Sequence, residues 1–326
     1  MRQSLNLSQG DIIMSTTIKI GTRRSKLAMW QAYYVEELLQ KAGMQTEIVE
    51  IDTRGDQRLD VSIAKIGSKG VFTEELEVQL RDGDIDIAVH SAKDMQSELP
   101  EGFEIIAFTI REKVNDVVVS RNKELRLSDT SRPLTVGSSS VRRRAMLKAY
   151  YPHLNVIEMR GNLQTRIGKM DEGQCDAILL AYAGVNRMEY NDLIVETLSA
   201  DQFIPPVGQG SVAIESATSL DAEKRQIIRD AVNHAETEFR LLAERAFLKT
   251  LKGGCSIPAF CMAELAENNQ LEVTGGMISL DGQTLIKNVL TGSREDAEDI
   301  GHQMATLTMD QGGAEILAAI RKERGE

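Results

Sequence analysis

Apolar positions in the first part of the chain follow the spacings of short strands and helices. Residues 18–21 (IKIG) predict a short strand, and the apolar positions after Ser25, spaced three and four residues apart, predict a helix. Strands are also predicted over 46–52 and 85–89, with a helix over 73–81 between them. The order strand, helix, strand, helix, strand is typical of an α/β domain with a mostly parallel sheet.

The same alternation returns beyond residue 115 and predicts a second α/β unit of similar size. Its predicted strands cover 117–119, 135–136, 154–157 and 177–180, and its predicted helices cover 141–150 and 163–170. Two prolines and two glycines within residues 201–210 predict a connection, and a further strand is predicted at 212–214.

The C-terminal part has a different pattern. A long helix is predicted over 233–251, followed by a hairpin around Asp281-Gly282 and by helices over 295–309 and 314–322. This succession predicts a small α+β domain.

The composition excludes several classes of protein. Of the 326 residues, 42% are hydrophobic and 27% are charged, which is typical of folded domains and not of disordered chains. No run of about 18 apolar residues predicts a membrane span, and residues 1–16 lack the apolar core of a secretory signal. Three cysteines, at 175, 255 and 261, are too few for a disulfide framework and fit a reducing compartment.

The charge distribution is uneven. The chain has 38 Lys and Arg against 49 Asp and Glu, and its net charge of −11 argues against broad binding to nucleic acids. Between residues 132 and 166, however, Glu158 is the only acidic residue. The basic residues there are Arg132, Arg142, Arg143, Arg144, Lys148, Arg160 and Arg166.

A turn at residues 137–140 opens the predicted helix that carries three of these arginines, and helix N-termini favour anions. The segment therefore predicts an anion pocket. The alternative is a solvated basic face, since three successive arginines cannot share one face of a helix.

Two further segments place charged groups where a predicted strand ends. Arg23 and Arg24 lie between a strand and a helix, which is also an anion-binding position. Lys93 and Asp94 follow a buried strand, at the sheet edge where α/β folds bind ligands. A carboxylate beside a cation stays ionised and can handle protons, although an aspartate that caps a turn has the same pattern. His90 is interpreted as structural, because no second His or Cys stands at metal-ligand spacing.

The fourth candidate for chemistry is a thiol. Gly253 and Gly254 precede Cys255 in a loop after a long predicted helix, so another group could approach the sulfur closely. The alternative is a buried free cysteine, which is the interpretation favoured for Cys175 and Cys261.

Taken together, eight segments resemble the porphobilinogen deaminase family, in the family's order and over about residues 17–323. They are 21–28 (GTRRSKLA), 53–56 (TRGD), 65–72 (KIGSKGVF), 88–94 (AVHSAKD), 137–143 (GSSSVRR), 160–166 (RGNLQTR), 206–210 (PVGQG) and 253–255 (GGC). The resemblance implies two α/β lobes like those of periplasmic binding proteins, with the chain crossing between them twice, and a small α+β C-terminal domain. The implied domains are 15–112 with 211–230, 113–210, and 231–326.

The resemblance also implies an activity. Members of the family are transferases that join four porphobilinogen molecules head to tail, with release of ammonia, into the tetrapyrrole hydroxymethylbilane of heme biosynthesis. Their dipyrromethane cofactor is held by a thioether to the cysteine that matches Cys255. We expect a cytoplasmic monomer that binds porphobilinogen and no metal, nucleic acid or membrane.

Matching residue by residue, the resemblance implies that Asp94 is catalytic and that the acid groups of the ligands are bound by basic and polar side chains. The implied cofactor-binding residues are Lys93, Ser140, Arg142 and Arg143, together with the anchor Cys255. The implied substrate-binding residues are Arg23, Ser25, Gln31, Lys65, Lys69, Phe72, Arg160, Arg166 and Arg187.

The chain departs from the family's pattern around the implied catalytic residue. Ala92 stands where the family usually has methionine, and Met95-Gln96 removes a usual proline. Two alternatives therefore stay open beside the enzyme: a degenerate family member that binds tetrapyrrole without making it, and a binding protein for an anionic ligand.

Overall fold

The computed structural model describes residues 17–53, 73–253, 257–266 and 269–324. Within these ranges the strands form two five-stranded sheets and one three-stranded sheet. The architecture is α/β, with two sheet-and-helix lobes and a smaller C-terminal unit, as the sequence predicted.

The first sheet combines parallel and antiparallel strands. It contains β1 (Thr17–Arg23), β2 (Gln45–Ile51), β3 (Ile87–Ser91), β4 (Phe103–Phe108) and β10 (Val212–Ala217). The order is β2-β1-β3-β10-β4, in which β1 pairs in parallel with β2 and β3. Strand β10 is antiparallel to both of its neighbours, because the chain re-enters this sheet from the second lobe at the carboxyl end of β3. The prediction of parallel pairing is confirmed for three of the five strands.

Helices bury their apolar faces against this sheet. They are α1 (Lys26–Lys41), α2 (Glu74–Asp82) and α6 (Ala222–Val232). Ala32, Val35 and Leu39 of α1 are completely buried in one cluster with Ile20 and with Ile228 of α6. The pattern of residues 222–232 was not recognised as a helix in the sequence, and neither was β4 as a strand.

The second lobe repeats this arrangement. Its strands are β5 (Asp116–Val119), β6 (Thr135–Gly137), β7 (Asn155–Ile157), β8 (Ala177–Ala181) and β9 (Ile194–Thr197), in the order β7-β6-β8-β5-β9. Its helices are α3 (Val141–Tyr150), α4 (Leu163–Asp171) and α5 (Tyr182–Arg187). Strand β6 pairs in parallel with β7 and β8, whereas β5 is antiparallel to β8 and β9.

The C-terminal unit is an antiparallel sheet covered by helices. The strands are β11 (Ala259–Leu265), β12 (Gln270–Ile278) and β13 (Leu285–Ser293), and the helices are α7 (Ala235–Thr250), α8 (Ala297–Thr308) and α9 (Ala314–Arg324). The predicted hairpin is confirmed as β12 and β13. Helix α7 begins at Ala235, later than predicted, because the side chain of His234 caps it by accepting from Thr237 N.

The C-terminal unit shares a hydrophobic core with the second lobe. Phe260, Met262 and Ile278 pack in one cluster with Phe203 and Ile204. In the part of the chain that the structure describes, no helix has the length and apolar character needed to cross a membrane.

Candidate functional site

Helices begin directly after the carboxyl ends of several parallel strands, and each beginning is capped by a polar side chain. Ser25 Oγ accepts from Ala28 N at the start of α1 (3.3 Å), and Ser140 Oγ accepts from Arg143 N at the start of α3 (3.4 Å). Asn162 Oδ1 accepts from Thr165 N at the start of α4 (2.8 Å). These ends present unpaired backbone N–H groups, which favour anions.

The two lobes meet at the end of β3. The chain there forms a short 3-10 turn, Ala92–Asp94. The half-buried Lys93 extends its ammonium toward Gln209 on the connection that returns from the second lobe (Nζ to Oε1, 3.5 Å). Gln209 in turn contacts Arg143 of α3 (Nη2 to Oε1, 3.3 Å), so groups from both lobes converge on one amide.

A buried ion pair lies behind this contact. Asp116, the first residue of β5, accepts from Arg142 Nη2 at 2.6 Å and from Arg143 Nη2 at 2.8 Å. All three side chains are almost completely buried. Although burial opposes ionisation, the two guanidinium groups hold the pKa of Asp116 well below its usual value. Asp116 therefore stays ionised and orients both arginines.

Positive charge is crowded around the turn. Burial lowers the pKa of Lys93 to about 8, and Arg143 and Arg166 contribute to this lowering. Burial likewise lowers the pKa of Arg166 to about 10, with a contribution from Arg143. Asp94 opposes both shifts. Its carboxylate is exposed and makes no hydrogen bond or ion pair to a residue within the described ranges. The Asp94 carboxylate thus lies close to two cations whose charge burial disfavours, those of Lys93 and Arg166.

The other sequence-predicted residues lie around this centre. Arg23 is half-buried at the end of β1, and Gln31 is buried and donates to Ser91 Oγ (2.9 Å). Arg160 pairs with Glu158 at 2.6 Å.

Arg187 links the lobes rather than pointing into solvent. Its guanidinium lies 5.2 Å from the ring centroid of Trp30 on α1, and its Nη2 donates to Gly210 O (2.7 Å). Its side chain belongs to α5 of the second lobe, so this stacking joins α5 to α1.

A comparison with protein-family models assigns the chain. Residues 18–225 match the model described as "Porphobilinogen deaminase, dipyromethane cofactor binding domain", and residues 239–309 match "Porphobilinogen deaminase, C-terminal domain". The chain belongs to the porphobilinogen deaminase family.

Relatives within the porphobilinogen deaminase family cover nearly the whole chain. A porphobilinogen deaminase of Desulfosudis oleivorans is 58% identical over 307 residues, which are 94% of this chain and 99% of that protein. A porphobilinogen deaminase of Cytophaga hutchinsonii is 53% identical over 309 residues, 95% of this chain and 98% of that protein.

Solved structures of other proteins have a lower similarity. The periplasmic VFT2 domain of Bordetella pertussis BvgS is 18% identical with a TM-score of 0.41, and covers 66% of this chain and 86% of that chain. The methionine-binding protein MetQ is 12% identical with the same TM-score, and covers 66% of this chain and 89% of that chain.

All the described cationic residues of the site lie in the part of the chain that matches the cofactor-binding domain of the porphobilinogen deaminase family. They are Arg23, Lys93, Arg142, Arg143, Arg160, Arg166 and Arg187. Cys255 lies in the part that matches the C-terminal domain. Four sequence-predicted residues, Lys65, Lys69, Phe72 and Cys255, lie outside the described residues. Leu251 and Ile257, on either side of Cys255 in sequence, pack in one cluster with Val207.

Sequence reasoning missed two residues of this porphobilinogen deaminase site. Asp116 opens an apolar strand, and a carboxylate at the start of a buried run is a signal that a cation is near. Gln209 was noted only as part of the segment 206–210. The ring of His90, which the sequence analysis interprets as structural, lies 2.9 Å from the buried Glu215 carboxylate. Among the described residues, no cluster of His, Cys, Asp and Glu is suited to hold a metal ion.

Proposed function

We propose that this chain is a hydroxymethylbilane synthase, a transferase that joins four porphobilinogen molecules into the linear tetrapyrrole with release of ammonia. The observation that carries the proposal is the exposed Asp94 carboxylate amid Lys93, Arg143 and Arg166, in a chain of the porphobilinogen deaminase family. This places the reaction in porphyrin biosynthesis.

The described residues fit a cofactor that carries carboxylates. A dipyrromethane bears acetate and propionate groups, and the site offers Lys93, Ser140, Arg142 and Arg143 to them. The Nε atoms of both arginines are buried and unpaired within the described ranges. The lowered pKa of Lys93 reflects burial first and then nearby arginines, so bound carboxylates would relieve an existing electrostatic cost.

When bound to Cys255, the dipyrromethane would supply the pyrrole from which the product grows. The chain's own residues would supply binding and proton handling. Arg23, Ser25, Arg160, Arg166 and Arg187 are proposed to hold the acid groups of the substrate, with Gln31, Lys65, Lys69 and Phe72 assisting. Guanidinium groups are suited to this role because they bind carboxylates bidentately.

Asp94 is proposed as the catalytic residue. Loss of ammonia from porphobilinogen leaves positive charge on a pyrrole, and each condensation releases a proton. An ionised carboxylate next to these positions stabilises the charge and can carry the proton. Asp94 is available for this because it makes no hydrogen bond or ion pair to any residue that the structure describes.

Three further features are proposed with the function. The enzyme is proposed to act as a monomer in the cytoplasm, and its three cysteines, too few for a disulfide framework, fit a reducing compartment. Its macromolecular partners do not include nucleic acids, which the net charge of −11 supports. Membrane association is not part of the proposal.

The proposal is tested by intact mass spectrometry of the purified chain beside a Cys255→Ser variant. We expect an excess mass of two porphobilinogen units, less the ammonia lost on attachment, and we expect the variant to lack it. A chain that stays unmodified after incubation with porphobilinogen would favour the anion-binding alternative.

Steady-state assays of the same preparations separate an enzyme from a degenerate relative. We expect Asp94→Ala to lower kcat by about 100-fold or more, since general acid–base catalysis contributes on the order of 10²–10⁴. The control is Asp84→Ala, an exposed aspartate before β3 that is remote from the proposed chemistry in sequence. Full turnover by Asp94→Ala would remove the role proposed for that residue.

A further inference from the structure

Gln209 is a fully buried amide between the charged groups of the site. Its Oε1 accepts from Lys93 Nζ (3.5 Å) and Arg143 Nη2 (3.3 Å). Its Nε2 donates to Val114 O (2.6 Å) and Asp116 Oδ1 (2.9 Å). The oxygen faces two cations and the nitrogen faces an anion and a carbonyl. The amide can therefore adopt only this orientation without losing its partners.

The backbone carbonyl of Gln209 is bound by a second buried ion pair, Arg111 with Glu244. Arg111 Nε donates to Gln209 O (2.9 Å), and the Arg111 guanidinium binds Glu244 of α7 at 2.6 and 3.1 Å. Glu244 also accepts from Gly208 N (2.9 Å) and Ala263 N (2.8 Å). Arg111 and Gly208 belong to the two connections between the lobes, and Ala263 belongs to the C-terminal unit. All three therefore bind the same carboxylate, that of the completely buried Glu244.

We propose that Gln209 is a positioning residue, which sets the spacing of Lys93 and Arg143 and holds them beside Asp94 for the acid groups of the ligands. This inference rests on the proposed function for its purpose. The hydrogen bonds of the Gln209 amide do not depend on that function, since they join residues of this chain without any ligand. Without the amide, Lys93 would lose an acceptor and Asp116 would lose a donor.

Two substitutions of similar length separate positioning from simple packing. Gln209→Glu would introduce one carboxylate, which would lie beside the Lys93 ammonium and also close to the Asp116 carboxylate. Gln209→Met would keep much of the volume and remove every hydrogen bond of the amide. A packing role predicts similar effects for both, whereas a positioning role predicts opposite effects on the charge of Lys93.

The experiment follows the titration of Lys93 by NMR in the full chain with 13Cε-labelled lysine, assigned by the signal missing from Lys93→Arg. Asp94, Asp116, Arg143 and Arg166 also act on this ammonium and are unchanged in the comparison. We expect Gln209→Glu to raise the midpoint by about one unit or more and Gln209→Met to lower it. Unchanged midpoints, or shifts in the same direction, would overturn the proposal.

A conservative variant protects the test against loss of the fold. Gln209→Asn keeps an amide in a smaller side chain, so it should fold, and it should lower the Lys93 midpoint because its oxygen no longer reaches the ammonium. Gln226→Glu is the matched control, because the exposed Gln226 amide also donates to a carboxylate, Asp230 Oδ1, at 2.7 Å. The control should leave the Lys93 titration unchanged.

The activity readout is kcat with porphobilinogen as substrate. We expect Gln209→Glu to lower kcat by about 10- to 100-fold, since small misplacements of reacting groups cost on that order. A wild-type chain without synthase activity would end the proposed function, while the Lys93 midpoints would still decide whether Gln209 governs the site.

Discussion

Lys93 holds its charge where burial works against it. Its pKa is lowered to about 8 by burial first, and bound carboxylates would raise it again. Ligand affinity is therefore fully present below pH 8 and is lost as the pH rises through this value. We expect kcat/KM for porphobilinogen to fall above about pH 8, as measured in a pH profile, because kcat/KM reports on the free enzyme.

The variant Lys93→Arg tests whether Lys93 causes the fall of kcat/KM above about pH 8, since a guanidinium stays charged throughout this pH range. The variant should lose the fall near pH 8 even if its maximum is lower. Lys41→Arg is the control, because Lys41 is exposed and pairs at the surface with Glu37. If kcat/KM of Lys93→Arg still falls near pH 8, another group causes the fall.

At the scale of an element, the return connection is shaped by Gly208. Its φ is +75°, and a Cβ there would come within 2.7 Å of Ala92 C and 2.8 Å of Lys93 N. The connection therefore packs directly against the turn that carries Asp94. We expect Gly208→Ala to destabilise the chain by about 1–2 kcal/mol for the backbone conformation and by about 1–3 kcal/mol more for overpacking, measured by urea unfolding.

Gly43→Ala separates the two contributions. Gly43 also has a positive φ, of +87°, but nothing lies within 4 Å of the added Cβ. This variant should show only the backbone cost and keep its kcat, whereas Gly208→Ala should also lose kcat by displacing the turn. Equal kcat values in the two variants would contradict contact between the connection and the catalytic turn.

At the scale of the whole molecule, the chain carries an internal reporter of how its lobes meet. Trp30 is its only tryptophan, and the Arg187 guanidinium of the other lobe covers the ring. We expect Arg187→Leu to make Trp30 more accessible, with red-shifted fluorescence and stronger acrylamide quenching in the absence of substrate. Cation–π contacts and desolvation both favour the covered state.

A matched contact inside the C-terminal unit provides the control. The Arg294 guanidinium lies 5.0 Å from the ring of Phe239, so Arg294→Leu removes the same kind of contact without joining lobes. Trp30 fluorescence should not change in this variant. Equal quenching in wild type and Arg187→Leu would show that the stacking does not cover Trp30 in solution.

Local spacing was enough to predict much of the fold. The predicted helix 141–150 coincides with α3, and the starts of α1 and α3 follow the serines that cap them. Such elements depend on neighbours in sequence, so periodicity and capping residues reveal them. Strands β4 and β9 were missed, because a strand depends on partners distant along the chain. Helix α6 was missed although it has a local signal, since Asp221 caps it by accepting from Lys224 N.

The sequence by itself determined the alternation of strands and helices, the basic segment and the order of motifs that marks the porphobilinogen deaminase family. Only the tertiary structure decided that β10 enters the first sheet antiparallel, that Asp116 takes both Arg142 and Arg143, and that Gln209 joins them to Lys93. The physical reason is that these contacts join groups far apart in sequence, such as Lys93 and Gln209, which are 116 positions apart. Charge placement at this range follows from packing of whole lobes, which no local pattern encodes.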